Sequence, residues 1–252
     1  MKKLLFVLAI GSLAVSCKKD GTADNFFKGP VVQVHEGKAF TWVQLTKQGT
    51  PERVGVTITD EALNSVPEGG EGGHGHENSY VLKFHPKAGV TPFKHVWLNW
   101  NPEGHPPANI YTKPHFDIHY YTVESEERET YVDAAKLNAD PGAGYIPGNH
   151  LGADPVPTMG KHWVDLTSPE LNPTNPQPFT QTFIFGSYNS KVVFYEPMIT
   201  KEFLKNTSNF ERSIPQPAKV QQSGYYPTKM RVFKHDNVTE IILEGFVQRQ
   251  AS

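Results

Sequence analysis

Pro114-His115-Phe116-Asp117-Ile118-His119-Tyr120-Tyr121 decides how this chain is read. A β-strand sends alternate side chains to opposite faces, so His115, Asp117 and His119 share one face and Phe116, Ile118 and Tyr120 the other. One side is made to back onto a core; the other carries two imidazoles and a carboxylate. Those groups are acceptable ligands for a divalent metal, Zn²⁺ first among them, at about 2.0–2.2 Å. His115 and His119 start roughly 13 Å apart at strand rise, so one ion takes part of the row and completes its shell from elsewhere. Three further residues qualify: His105 in Asn101-Pro102-Glu103-Gly104-His105-Pro106-Pro107, His162 in Met159-Gly160-Lys161-His162-Trp163-Val164-Asp165, and Glu196 in Val192-Val193-Phe194-Tyr195-Glu196. Glu196 alternates with Val192 and Phe194; if they enter a core the carboxylate follows, and a buried carboxylate needs a metal, a cation or a proton. Against all six stands an ordinary alternative, because His-x-Asp-x-His is a short pattern and histidines often just hydrogen-bond to a neighbouring carboxylate.

Outward from this row, strand-like runs recur between turn residues. They are Val31–Val34, Phe40–Leu45, Arg53–Thr59, Tyr80–Phe84, His95–Trp100, His115–Val123, Gln181–Phe185, Lys191–Tyr195, Met230–Lys234 and Val238–Val247. His-Glu-Gly-Lys at 35–38 and Lys-His-Asp-Asn at 234–237 read as hairpin loops. Helical signals are short: Asp60 to Val66 after a Thr59 cap, Lys201 to Asn206 after a Thr200 cap, and Glu124 to Ala139, ended by Pro141. The fold class is therefore mostly β, a single β-sandwich or barrel-like domain over 29–252 with a few short helices. Pro67 to Glu77, with five glycines and with His74 and His76, reads as a surface loop, and Asn138 to Gly160 as a long irregular loop leading to His162.

The chain opens with Lys2-Lys3, an apolar run from Leu4 to Val15, and Ser16-Cys17. At about a dozen residues the run is too short to span a bilayer and reads as a secretory signal over 1–16. Leu13-Ala14-Val15-Ser16-Cys17 resembles a bacterial lipobox, and Cys17 is the only cysteine. Lipid on Cys17 would hold the protein at a membrane with no protein segment crossing, and Cys17 to Lys28 reads as lipidated cysteine and tether. The expected location is the bacterial cell envelope, on the periplasmic side or at the outer membrane. The chain has 24 basic and 26 acidic side chains; without Lys2 and Lys3 it keeps 22 basic ones, a formal charge of −4. Neither that balance nor any basic-aromatic cluster points to nucleic acid.

The stretches Trp97 to Pro107, Pro114 to Tyr121 and Met159 to Asp165, in this order and spacing, resemble a family of exported bacterial β proteins typified by a secreted Thermus protein under sigma-E control, a domain of unknown function. The resemblance covers roughly residues 30 to 200. It implies an extracytoplasmic, mostly β domain, possible homo-oligomers, and histidine-rich stretches lying near one another. A looser resemblance is to cupins, in which His115 and His119, Glu196 and His162 would stand for the metal-binding set; cupins space the first two histidines two apart, not four.

Three functions compete. The first is a metal- or small-ligand-binding lipoprotein, with Trp97, Trp100, Tyr120, Tyr121 and Trp163 lining a pocket. The second is a metal-dependent envelope hydrolase in which the ion activates water and Asp117 or Glu196 serves as general base; no G-x-S-x-G, H-E-x-x-H or catalytic cysteine accompanies it. The third is a structural or interaction lipoprotein without metal, in which case His105, His115, His119 and His162 scatter over the surface. Whether Asp117 is a ligand or orients a ligand imidazole is open at this level.

Overall fold

The structure is a computed structural model and describes residues 25–69 and 78–252. The expected signal, Cys17, most of the expected tether, and His74 and His76 lie outside the described residues.

In chain order the strands begin with β1 (Phe26–Lys28), β2 (Val32–Val34), β3 (Gly37–Leu45), β4 (Pro51–Thr59), β5 (Ser79–Lys83) and β6 (His95–Asn101). They continue with β7 (His115–Tyr121), β8 (His150–Val156), β9 (Gly160–Asp165), β10 (Gln181–Tyr188) and β11 (Lys191–Thr200). The last are β12 (Asn209–Ser213), β13 (Gly224–Tyr226), β14 (Lys229–His235), β15 (Val238–Glu244) and β16 (Val247–Arg249). Among the described residues four α-helices, all short, are found: α1 (Asp60–Ser65), α2 (Ser125–Arg128), α3 (Ala134–Asn138) and α4 (Lys201–Asn206).

Two antiparallel sheets carry the fold. One runs β1-β3-β4-β15-β14-β12, with β2 also paired to β3; the other runs β5-β6-β7-β11-β10-β9-β8, and β13 and β16 form a separate ribbon. Alternation along the strands explains why the sheets stack. Val54, Val56 and Ile58 of β4 and Ile241 and Leu243 of β15 pack in one buried cluster with Phe116, Ile118 and Tyr120 of β7. The Tyr120 hydroxyl donates to the Ile241 carbonyl at 2.7 Å, tying the sheets through the core. At their margin Arg212 of β12 reaches Asp165 of β9 (3.4 Å) and Gln181 of β10 (3.0 Å).

Local signals behave as their chemistry requires. Thr59 and Thr200 accept the Ala62 and Phe203 amides as N-caps. Asp236 and Asn237 take the positive φ of the β14–β15 turn, and His35 does so between β2 and β3. Other segments depart from expectation. Phe26–Lys28, read as the end of the tether, pairs with β3. Asn138 to Gly160 is not one loop: His150–Val156 forms the edge strand of the second sheet, irregular between Gly152 and Pro155, and an edge position tolerates a proline. Glu124 to Ala139 is two helices, because Arg128 and Tyr131 turn inward and Asp133 caps a new helix through the Ala135 and Lys136 amides.

Candidate metal centres

The outer face of the second sheet, away from its partner, carries the polar half of β7. It is covered by chain: every residue of β6 and β7 is buried. Phe116, Ile118 and Tyr120 use the core face, so His115, Asp117 and His119 share the covered outer face with Phe194 and Met198 of β11. The ladder sets Tyr195 opposite Tyr120 and Met198 opposite Asp117, which brings Glu196 opposite His119.

The six residues divide into two groups. His105, His115 and Asp117 form one; His119, His162 and Glu196 form the other, and within each group the ligand atoms lie within 4.8 Å of one another. In the first, His115 and Asp117 come from β7 and His105 from the loop after β6. His115 Nε2 is 3.1 Å from Asp117 Oδ1, and His105 Nε2 is 3.3 Å from Asp117 Oδ2. Both imidazoles have Nδ1 against a carbonyl, which can only accept: Lys113 O at 2.6 Å from His115 and Pro106 O at 2.7 Å from His105. Nδ1 therefore carries the proton in each ring, and in a neutral ring Nε2 presents its lone pair to the carboxylate. Lone pair against carboxylate oxygen is repulsive unless a proton or a cation lies between. A carbonyl that fixes Nδ1–H and leaves Nε2 for an ion is the usual support of a metal-binding histidine. Asn101 Nδ2 donates to Asp117 Oδ2 at 2.8 Å and orients the carboxylate.

In the second group His119 stands on β7, Glu196 on β11 and His162 on β9. His119 Nε2 is 3.4 Å from Glu196 Oε1 and His162 Nε2 is 3.7 Å from Glu196 Oε2. Both are longer than an ordinary hydrogen bond. Ligands about 2.1 Å from a tetrahedral Zn²⁺ stand roughly 3.4 Å from each other, close to the imidazole–carboxylate distances of 3.1 to 3.7 Å in the two groups. Gly186 of β10 permits the second group. It pairs with both Phe194 and His162, and a Cβ there would fall inside the Phe194 ring. Phe194 thus lies over the glycine with its ring centroid 4.9 Å from that of His119 and 5.1 Å from that of His162. Tyr121 stacks on His119 with ring centroids 5.7 Å apart and also adjoins Phe194 at 5.1 Å.

The two carboxyls are in opposite electrostatic states. Burial raises Asp117, but the imidazoles of His115 and His105 outweigh it and hold the group well below the usual carboxylate value. Burial likewise lowers His105, and the Asp117 charge overcomes it, so the net shift is upward. Glu196 is pushed well above its ordinary value by burial, with the Asp117 charge adding to it.

All six sequence candidates are buried on this face and do not scatter; His105 and His162 reach solvent most, at 9% and 8% exposure. They do not form one site, and His115 and His119, the first pair of the cupin-like set, fall in different groups. Glu196 does accompany Phe194 into a buried cluster, but Val192 packs toward the main core, because the strand bulges opposite Gly186 and Ser187. Of the expected pocket aromatics, Trp97 and Tyr121 adjoin His119, whereas Trp100 and Tyr120 belong to the inter-sheet core and Trp163 packs against it. Sequence reasoning missed Asn101 and Tyr111. Asn101 alternates with Asn99 on β6, a signal that could have placed it opposite His115. Tyr111 is buried with its ring 5.9 Å from His105, and its hydroxyl has no hydrogen-bond partner among the described residues.

The site and fold together define a β-sandwich whose covered outer face holds two groups able to bind a metal ion. No family model gives a significant match to the chain, nor does any curated protein or solved structure.

Proposed function

We propose that this protein is a metal-binding lipoprotein of the bacterial cell envelope, holding Zn²⁺ or a similar divalent ion at His105, His115 and Asp117. The single observation that carries the reading is the pair of carbonyl-fixed imidazoles presenting Nε2 to one buried carboxylate. Export and the anchor rest on the signal-like start and on Cys17 as the sole cysteine. Asp117 acts as a ligand and not merely as a support, because the support of each ring is already supplied by a backbone carbonyl.

A hydrolase that activates water on the ion is the second reading, favoured by three protein ligands with a fourth position left. Burial favours binding over turnover. A cleft of about 420 Å³ is lined by Lys94, Thr122, Glu127, Tyr145, Lys191 and Lys219 among others, and by none of the six. The test is elemental mass spectrometry of the full-length chain, purified in detergent, beside Asp117→Asn. Near-stoichiometric metal that falls in the variant supports the reading. No metal in the wild type, even after equilibration with Zn²⁺, refutes it.

A further inference from the structure

The second group need not be an extension of the first. His105, His115 and Asp117 come from one strand and the loop before it, while His119, His162 and Glu196 come from β7, β9 and β11 and have no ligand in common with them. Asp117 and His119 are one strand period apart, roughly 6.6–6.8 Å. Two ions joined by a single oxygen stand about 3.5–4 Å apart, so this offset suits two separate mononuclear positions better than one bridged pair. Each group also carries its own charge balance, with two imidazoles and one carboxylate that offsets part of a dication's charge.

The second position is held as firmly as the first. Tyr121 and Phe194 pack on His119, Phe194 also packs on His162, and all of these except His162 are fully buried. Such packing fixes ring orientation before any ion arrives, which is what separates a built coordination site from a chance cluster. From these observations, and resting on the metal-binding reading above, we infer that His119, His162 and Glu196 form a second, independent site for a divalent cation of the Zn²⁺ class. The chain then carries two ions side by side on one sheet face, each with three protein ligands.

The experiment is equilibrium dialysis of the full-length, detergent-purified chain against buffered Zn²⁺, with Asp117→Asn, Glu196→Gln and His162→Gln beside the wild type. Near-ultraviolet circular dichroism of each metal-free variant shows that it is folded. His162→Gln, at the edge of the site, serves if Glu196→Gln does not fold. Two equivalents in the wild type and one in every variant is the expected result, with the Asp117→Asn/His162→Gln double variant binding none. One equivalent in the wild type, lost only in Asp117→Asn, overturns the second site and leaves the first. One equivalent lost in all variants means a shared ion and also overturns it. No binding in the wild type sinks the metal reading itself.

Discussion

Gly186→Ala is the sharpest single perturbation of this architecture. The new methyl would occupy the space of three Phe194 ring carbons. Carbon atoms settle at about 3.5–4.0 Å, so the ring would have to retreat by roughly 1.5–2 Å. It has nowhere to go, because Phe194 is fully buried and abuts His119, Tyr121 and His162. Forcing a core residue off its rotamer costs about 1–3 kcal/mol, and expelling the ring forfeits about 2–3 kcal/mol more of burial. The sum is about 3–6 kcal/mol, a fall in Tm of roughly 6–24 °C for a domain of this size. Urea unfolding followed by tryptophan fluorescence, in EDTA so that metal does not contribute, measures it. Shortening the ring makes room, so Phe194→Leu should cost stability alone yet restore part of it in the Gly186→Ala background, a coupling of opposite sign. The same alanine should weaken Zn²⁺ binding at His119, His162 and Glu196 and spare the His105 group. A Gly186→Ala protein within about 1 kcal/mol of wild type would refute the wedge assigned to Phe194.

Other expectations follow from single contacts. His95, buried under Tyr121 and donating Nδ1–H to Val123 O at 2.9 Å, is lowered to about 4, chiefly by desolvation. Its folded value lies below the unfolded one, so its contribution is whole above about pH 6.5 and is lost as pH falls toward 4, about 3 kcal/mol in all. His95→Gln should flatten that part of the stability-pH curve, and an unchanged slope counts against the assignment. Thr59→Ala removes the acceptor of both the Ala62 and Lys38 amides and should cost about 1–2 kcal/mol in denaturant unfolding. Tyr120→Phe deletes the hydroxyl that bonds the opposite sheet and should cost about 1 kcal/mol without altering Zn²⁺ stoichiometry; a changed stoichiometry would show that the two faces of β7 are coupled.

Much of the architecture was legible in the chain, for particular reasons. Phe116, Ile118 and Tyr120 alternate with His115, Asp117 and His119 without a break, so period alone assigns their faces. Thr59 and Thr200 announce α1 and α4 because a cap is a local bond. What escaped was set by partners distant in sequence. β1 is three residues long and exists because β3 offers an edge. β8 sits in a Pro- and Gly-rich stretch that looks irregular, since a bulged edge strand tolerates residues an inner strand does not. The division of six ligands into two groups depends on the strand order β7-β11-β10-β9, which no window of sequence contains. Even the side on which Val192 packs was decided by a bulge, one residue that inverts the alternation.

Seating His119, His162 and Glu196 on three different strands gives the pair of groups a meaning beyond ligation. With Cys17 as the only cysteine, the chain has no second thiol with which to lock its loops. A cation at this position would join residues 43 and 34 apart in sequence, and so do the work of a cross-link: it shrinks the unfolded ensemble and draws the Pro-rich segment between β7 and β9 into one closed ring. Such a lock opens to a chelator and is indifferent to a reductant. The protein would thereby owe its rigidity to the metal supply of its surroundings and not to their redox state.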